Sequence, residues 1–368
     1  LKSQYAKIQA EIDAAVLKTI RDASFINGPE VVTFTKNLSA YLGGAHVIPC
    51  ANGTDALQVA MMALGLEPGD EVIVPSFTYV ATAEVIGLLK LKPVMVDVDP
   101  IHFNITKANI EQAIRPKTKA IVPVHLFGQC ADMEPILKLA KEKGLYVIED
   151  TAQAIGAVYT FSDGTQKQAG TMGHIGCTSF FPSKNLGCYG DGGAIYTHDP
   201  VLAERIKMVA NHGQVKKYVH KYIGVNSRLD TIQAAILDIK LKYLDQYSAA
   251  RRAAADRYDS LLSEIDGLQT PVRAKNSTHV FHQYTMVIAN GKRDALKQHL
   301  EAAGIPAMVY YPVPLNEQEA FRTIGAVVGS LNETERLCAS VLSLPMHTEL
   351  TEEQQVFITD TIKSFFKS

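Results

Sequence analysis

Residues 71–98 read EVIVPSFTYVATAEVIGLLKLKPVMVDV. Two β-branched runs, EVIVP at 71–75 and KPVMVDV at 92–98, enclose a helical pattern from Thr78 to Leu89, so the stretch spells strand, helix, strand. The alternation continues outward. KAIVPVH at 119–125 and LYVIED at 145–150 are further strand-like runs, and Asp55–Leu64 and Met133–Lys143 are helical stretches bounded by Gly, Pro or Asp. That order predicts an α/β fold with a mainly parallel sheet, and in such sheets ligands bind beyond the carboxyl ends of the strands.

A helical pattern then runs from near Asn226 to Leu262. The strand-like HQYTMVIA, a helix over 293–303, the segment PAMVYYPVP and a C-terminal helix follow. At 368 residues the chain exceeds one ordinary core, so the expectation is a large domain over 1–245 and a small α+β domain over 246–368.

Composition removes several classes of function. With 36 basic and 38 acidic residues there is no global positive field to hold nucleic acid or an anionic membrane. Five cysteines without a CxxC pair predict reduced thiols and a cytoplasmic setting. The N-terminal stretch is charged and amphipathic, and no apolar run of roughly 18 residues occurs, so neither secretion nor membrane insertion is expected. His102, His125, His174, His198 and His347 form no HExxH or Cys-paired spacing, and no metal site is expected. The phosphate-binding patterns GxxxxGK[ST] and GxGxxG after a strand are absent as well.

Three segments carry chemistry. In TSFFPSKNLGCYGDGGAI, residues 178–195, Lys184 lies between apolar residues and a turn rich in Gly187, Gly190, Gly192 and Gly193. Burial there would lower its pKa and free the amine as a nucleophile; a lysine snorkelling at a strand end is an equal reading of this segment alone. Asp150 ends a strand-like run, where a buried carboxylate wants a cation such as a protonated pyridine nitrogen. Gly53 and Thr54 open a helix whose free N–H groups suit a phosphate. Singly these are an ordinary cap, a structural ion pair and a surface lysine. Their order along the chain, phosphate cradle, carboxylate, lysine, is that of fold-type I pyridoxal-phosphate enzymes.

Over nearly its whole length the chain resembles the DegT/DnrJ/EryC1/StrS family of sugar-nucleotide aminotransferases. The matching runs include ANGTDAL, PSFTYVATAEVI, EDTAQAIGA, SFFPSKNLGCYGDGGAI, NHGQ, GVNSRLDTIQAAIL, YYPVPLN and LSLPMH. The resemblance implies a fold-type I transferase using pyridoxal 5'-phosphate, with pyridoxamine 5'-phosphate as its intermediate form. Lys184 would carry the cofactor as a Schiff base and move protons. Asp150 would pair with the ring nitrogen, and Gln153 would lie near the phenolic oxygen. The backbone of Gly53, Thr54 and Asp55 with the hydroxyls of Thr54 and Ser179 would take the phosphate. Tyr79 would stack on the ring. Asn226 would reach the phosphate of a neighbouring subunit, which makes a homodimer with shared sites the expected assembly. For substrate, the resemblance suggests Arg228 for a carboxylate and His212, Tyr310 and Tyr311 in the sugar cleft; plain packing is an equal reading for the last three.

Within the family, the runs around Lys184 and Arg228 look most like the branch that aminates UDP-2-acetamido-2-deoxy-3-oxo-D-glucuronate with L-glutamate for lipopolysaccharide O-antigen. That branch has His-Tyr-Pro where this chain has Tyr310-Tyr311-Pro312. A dTDP- or UDP-linked 3- or 4-keto-6-deoxy sugar is therefore the alternative. Relatives without the lysine run dehydrations, and a regulatory member would be expected to lack Lys184, Asp150 or Thr54; all three are present.

Overall fold

The computed structural model describes residues 1–367. Its centre is one sheet built from β1 (His46–Cys50), β2 (Glu71–Pro75), β3 (Lys92–Val96), β4 (Thr118–Ile121), β5 (Tyr146–Asp150), β6 (Ile175–Ser179) and β7 (Gly193–Thr197). The order is β1-β7-β6-β5-β4-β2-β3, with Ala326–Val327 pairing parallel to β3 at the far edge. β7 runs against both of its neighbours while all other pairings are parallel, so the sheet is mixed and mainly parallel, as expected.

Side chains alternate across this sheet and feed two cores. Ile73, Val94, Ile121 and Val147 join one cluster; Val72, Val74, Ala120 and Ile148 join the other. All five residues of β2 are buried, which is why Val72–Pro75 run apolar rather than alternating; Glu71 at its start meets Lys92 and Arg115. In KAIVPVH the continuous strand ends at Ile121, two residues before Pro123, which has no N–H to donate to a ladder, and Val124 then forms an isolated parallel bridge with Asp150.

The single helical pattern expected over 226–262 is two helices, Thr231–Leu241 and Leu244–Leu262. No Gly or Pro marks the break. Tertiary contacts explain it: the first helix packs against Lys2–Arg21 and Pro29–Tyr41, whereas the second packs against Glu352–Lys367. At the joint the Tyr243 ring stacks on Tyr247 and its hydroxyl donates to Glu11.

Beyond this joint an antiparallel sheet, Leu268–Gln269, Tyr284–Ile288 and Val341–Leu344, shares a core with Leu244–Leu262, Arg293–Ala302 and Glu352–Lys367. A clean division at 245 does not hold. Leu315 and Phe321 belong to a core of the large sheet, and Ala326–Val327 extends that sheet. The chain therefore enters the small domain, returns to the large one and leaves again. Among the described residues no helix is long and apolar enough to cross a membrane, no group of three or more His, Cys, Asp or Glu could hold a metal, and the five cysteines are free and buried.

Candidate active site

The sheet order brings distant segments together. Cys50, at the end of β1, pairs with Gly193 at the start of β7; Gly193 also pairs with Ser179 at the end of β6, and Asp150 pairs with Cys177. Because β7 is reversed, its first residue lies on the same edge as the carboxyl ends of β1, β6 and β5. The helix after β1, the Lys184 loop after β6 and Asp150 of β5 thus border one cleft of about 790 Å³.

The first wall is the N-terminus of helix Gly53–Leu64. Asn52 caps it, its side-chain oxygen accepting the Asp55 N–H at 2.8 Å. The first intrahelical bond is from Ala56 N to the Asn52 carbonyl at 3.1 Å, so the Gly53 and Thr54 N–H groups precede the helix's own ladder. The expectation for Asp55 needs correction: its N–H is taken by Asn52, and its carboxylate accepts from Ser227 Oγ at 2.7 Å. Glycine at 53 is a packing requirement, since a Cβ there would lie 2.7 Å from Ser179 Cβ. At Gly193 a Cβ would come within 2.5 Å of the Asn52 backbone.

The second wall is Asp150, 7% exposed. Its carboxylate accepts from Thr82 Oγ1 at 2.9 Å and from Ala152 N at 3.1 Å, neither of them a cation. Its neighbour Glu149 faces away into a fully buried network. There Glu149 accepts from Gly170 N, Met172 N and Gly173 N and meets His125 Nε2 at 2.9 Å, while His125 Nδ1 accepts from Ala131 N. That tautomer makes His125 Nε2–H a donor and leaves the ring neutral.

The third wall is Lys184. Its N–H closes a turn onto the Phe181 carbonyl at 2.8 Å, and the loop behind it is anchored by buried Lys240, which donates to the Gly187 carbonyl. Burial pushes the Lys184 amine down to about 8, against the opposing pull of the Asp150 carboxylate. A low-pKa amine, a buried carboxylate held by uncharged donors and a glycine-floored helix N-terminus fit an aldehyde cofactor with a basic ring nitrogen and a phosphate.

The DegT/DnrJ/EryC1/StrS aminotransferase family pattern matches residues 6–363. The chain belongs to that family. It is 47% identical to the UDP-2-acetamido-2-deoxy-3-oxo-D-glucuronate aminotransferase of Pseudomonas aeruginosa, covering 95% of this chain and 94% of that protein. It is 46% identical to a pleiotropic regulatory protein of Geobacillus stearothermophilus, over 100% and 97%. Among solved structures, that of S. venezuelae DesV in complex with a ketimine intermediate aligns with a TM-score of 0.94 at 39% identity, over 100% and 97%. The protein is a pyridoxal-phosphate-dependent aminotransferase.

In this aminotransferase Gln153 is held from two sides. Its Oε1 accepts from Phe127 N at 2.7 Å and its Nε2 donates to the Tyr311 hydroxyl at 3.0 Å. Tyr79 is 57% exposed at the mouth of the cleft, its ring 6.2 Å from that of Tyr311. Thr54, Ser179, Tyr310 and Tyr311 also border the cleft, as does Asp191. Three residues do not join them. Asn226 is exposed and bridges Asn211, His212 is exposed, and Arg228 borders a separate cleft of about 660 Å³ behind Ser227. Within a single chain, then, neither Arg228, expected to meet a substrate carboxylate, nor His212, expected in the sugar cleft, borders the Lys184 cleft.

Sequence reasoning passed over Thr82, Asn52 and His282. Asn52 carried a signal, an Asn directly before a helix start. Thr82 and His282 carried none: one sits in a helix and the other at the head of a strand-like run.

Proposed function

We propose that this aminotransferase moves the amino group of L-glutamate to the keto carbon of a sugar nucleotide, and specifically to C3 of UDP-2-acetamido-2-deoxy-3-oxo-D-glucuronate. The products are 2-oxoglutarate and UDP-2-acetamido-3-amino-2,3-dideoxy-D-glucuronate, for lipopolysaccharide O-antigen made in the cytoplasm. The observation that carries the reading is the meeting of the Lys184 amine, lowered to about 8, with Asp150 and the Gly53–Thr54 helix end in one cleft.

The cofactor supplies an electron sink for the carbon that loses its proton. Lys184 would hold it through its side-chain amine, and an amine lowered to about 8 is suited to taking up and returning a proton. Asp150, held by Thr82, would pair with the ring nitrogen and favour its protonated form. Gln153, held by Phe127 and Tyr311, would lie beside the ring. The Gly53 and Thr54 N–H groups and the Thr54 and Ser179 hydroxyls would take the phosphate, and Tyr79, at the mouth of the cleft, would pack on the ring. His212, Asn226 and Arg228, lying outside their own chain's cleft, serve the cleft of a second copy, so the working form is a homodimer.

The sugar assignment rests on the similarity to the Pseudomonas protein. Tyr310 favours a second reading, because a neutral phenol replaces an imidazole in the sugar cleft and suits a 3- or 4-keto-6-deoxy sugar on dTDP or UDP. A regulatory role without turnover is disfavoured by the intact Lys184 and Asp150.

The test is the visible absorbance of the cofactor-loaded protein. Loss of the band with L-glutamate and its return with the 3-oxo-glucuronate nucleotide supports both half-reactions. Bleaching without return sinks the sugar assignment alone. Lys184→Ala is expected to abolish turnover while still binding cofactor; an active variant overturns the mechanism.

A further inference from the structure

His282 is 6% exposed, borders the Lys184 cleft, and has a ring Nδ1 that is buried without a hydrogen-bond partner among the described residues. Buried polar atoms are almost always paired, so an unpaired one on a residue that borders a ligand cleft points to a partner. His279, three residues earlier, shows the contrast. Its Nδ1 accepts from Phe281 N at 3.0 Å and its ring stacks on Phe281 at 3.8 Å, so it is satisfied as a structural residue.

The main chain around His282 is secured on three sides. Val280 N donates to the Gly128 carbonyl at 2.8 Å, and Gln283 N to the Phe127 carbonyl at 3.3 Å. Arg251, itself buried, donates from Nη1 to the carbonyls of Phe281 and His282 at 2.9 and 3.4 Å. Asn185, the residue after Lys184, donates to the Val280 carbonyl at 2.9 Å. This last bond ties the segment that carries His282 directly to the loop that carries Lys184.

The charged groups facing His282 are Lys184 and Arg251, both cations, and with burial they hold the ring well below its ordinary pKa. A neutral imidazole has one ring nitrogen that only accepts. Lys184 offers N–H donors once it is released from the cofactor.

We propose that His282 is a positioning residue of the aminotransferase, its ring accepting a hydrogen bond from the free Lys184 amine and holding that amine for proton transfer. This rests on the role given to Lys184 above.

The experiment compares wild-type holoenzyme with His282→Phe and His282→Gln, using L-glutamate and its α-deuterated form. Loss of a positioned proton carrier lowers kcat by about 100-fold in His282→Phe, within the span of acid–base contributions. KM for glutamate and cofactor content stay near wild type, the isotope effect on kcat rises, and His282→Gln, which keeps an acceptor, recovers part of the rate. Independently of turnover, the His282 nitrogen-15 resonance of wild-type holoenzyme, assigned by its loss in His282→Gln, shifts when glutamate frees the lysine. Wild-type kcat and isotope effect in His282→Phe, or a resonance that does not shift, overturns the proposal. If the phenylalanine variant does not fold, the wild-type resonance decides. Failure of wild type itself to bleach with glutamate instead removes the assigned role of Lys184.

Discussion

Lys184 sets the clearest expectation for a single residue. Its amine titrates near 8 because burial outweighs the attraction of Asp150. The rate at which cofactor-free protein captures pyridoxal phosphate is therefore expected to rise through about pH 8, and Asp150→Asn, which removes the attraction, moves that midpoint lower. The folded value lies below the ordinary lysine value of 10.5, so the unfolded chain binds more protons between the two and this residue's contribution to stability increases with pH across that window. A midpoint that stays near 10.5 contradicts the burial argument. Glu149→Ala leaves three N–H groups and the His125 ring without their acceptor inside the core. The expected cost is ~3 kcal/mol or more, read as a lower urea midpoint. Lys184, Asp150 and Thr54 were legible because each has a chemistry of its own beside a strand end or helix start. Thr82 and His282 were not, because their roles come from partners far away in sequence.

For whole elements, the sequence pattern located cores better than ends. Met133–Lys143 and Glu71–Pro75 have the bounds their patterns predict, whereas the helix expected from Thr78 begins at Ala81. The break at Lys242–Tyr243 was illegible, since both flanking stretches favour helix and only packing against different domains separates them. Helix Gly53–Leu64 is the element on which the phosphate site depends. Asn52→Ala is expected to cost ~1 kcal/mol of stability through the lost cap. It also frees the Asp55 N–H, so cofactor affinity, measured by equilibrium dialysis, falls less than stability does. Gly53→Ala is expected to be worse for the cofactor: its methyl meets Ser179 at 2.7 Å and pushes apart two groups assigned to the phosphate.

At the scale of the molecule, one chain brings the cofactor residues together and leaves Asn226, His212 and Arg228 outside. Sedimentation of the holoenzyme is expected to give twice the chain mass. Refolding Lys184→Ala together with Asn226→Ala is expected to yield mixed dimers more active than either variant, since one cleft would then have both wild-type residues. Activity no higher than the better parent contradicts shared sites. The α/β class was legible from strand and helix periodicity; the return of the chain to the large sheet was not, because Ala326–Val327 is too short to leave a pattern. That two-residue strand has a consequence for synthesis. β3 leaves the ribosome long before Ala326 is made, and β1 waits for β7, so neither border of the sheet is covered while the middle of the chain is being translated. Such late closure exposes unpaired strand edges on the nascent polypeptide. Cells making this protein quickly should therefore depend on chaperone capture, and slowing elongation should raise the soluble yield.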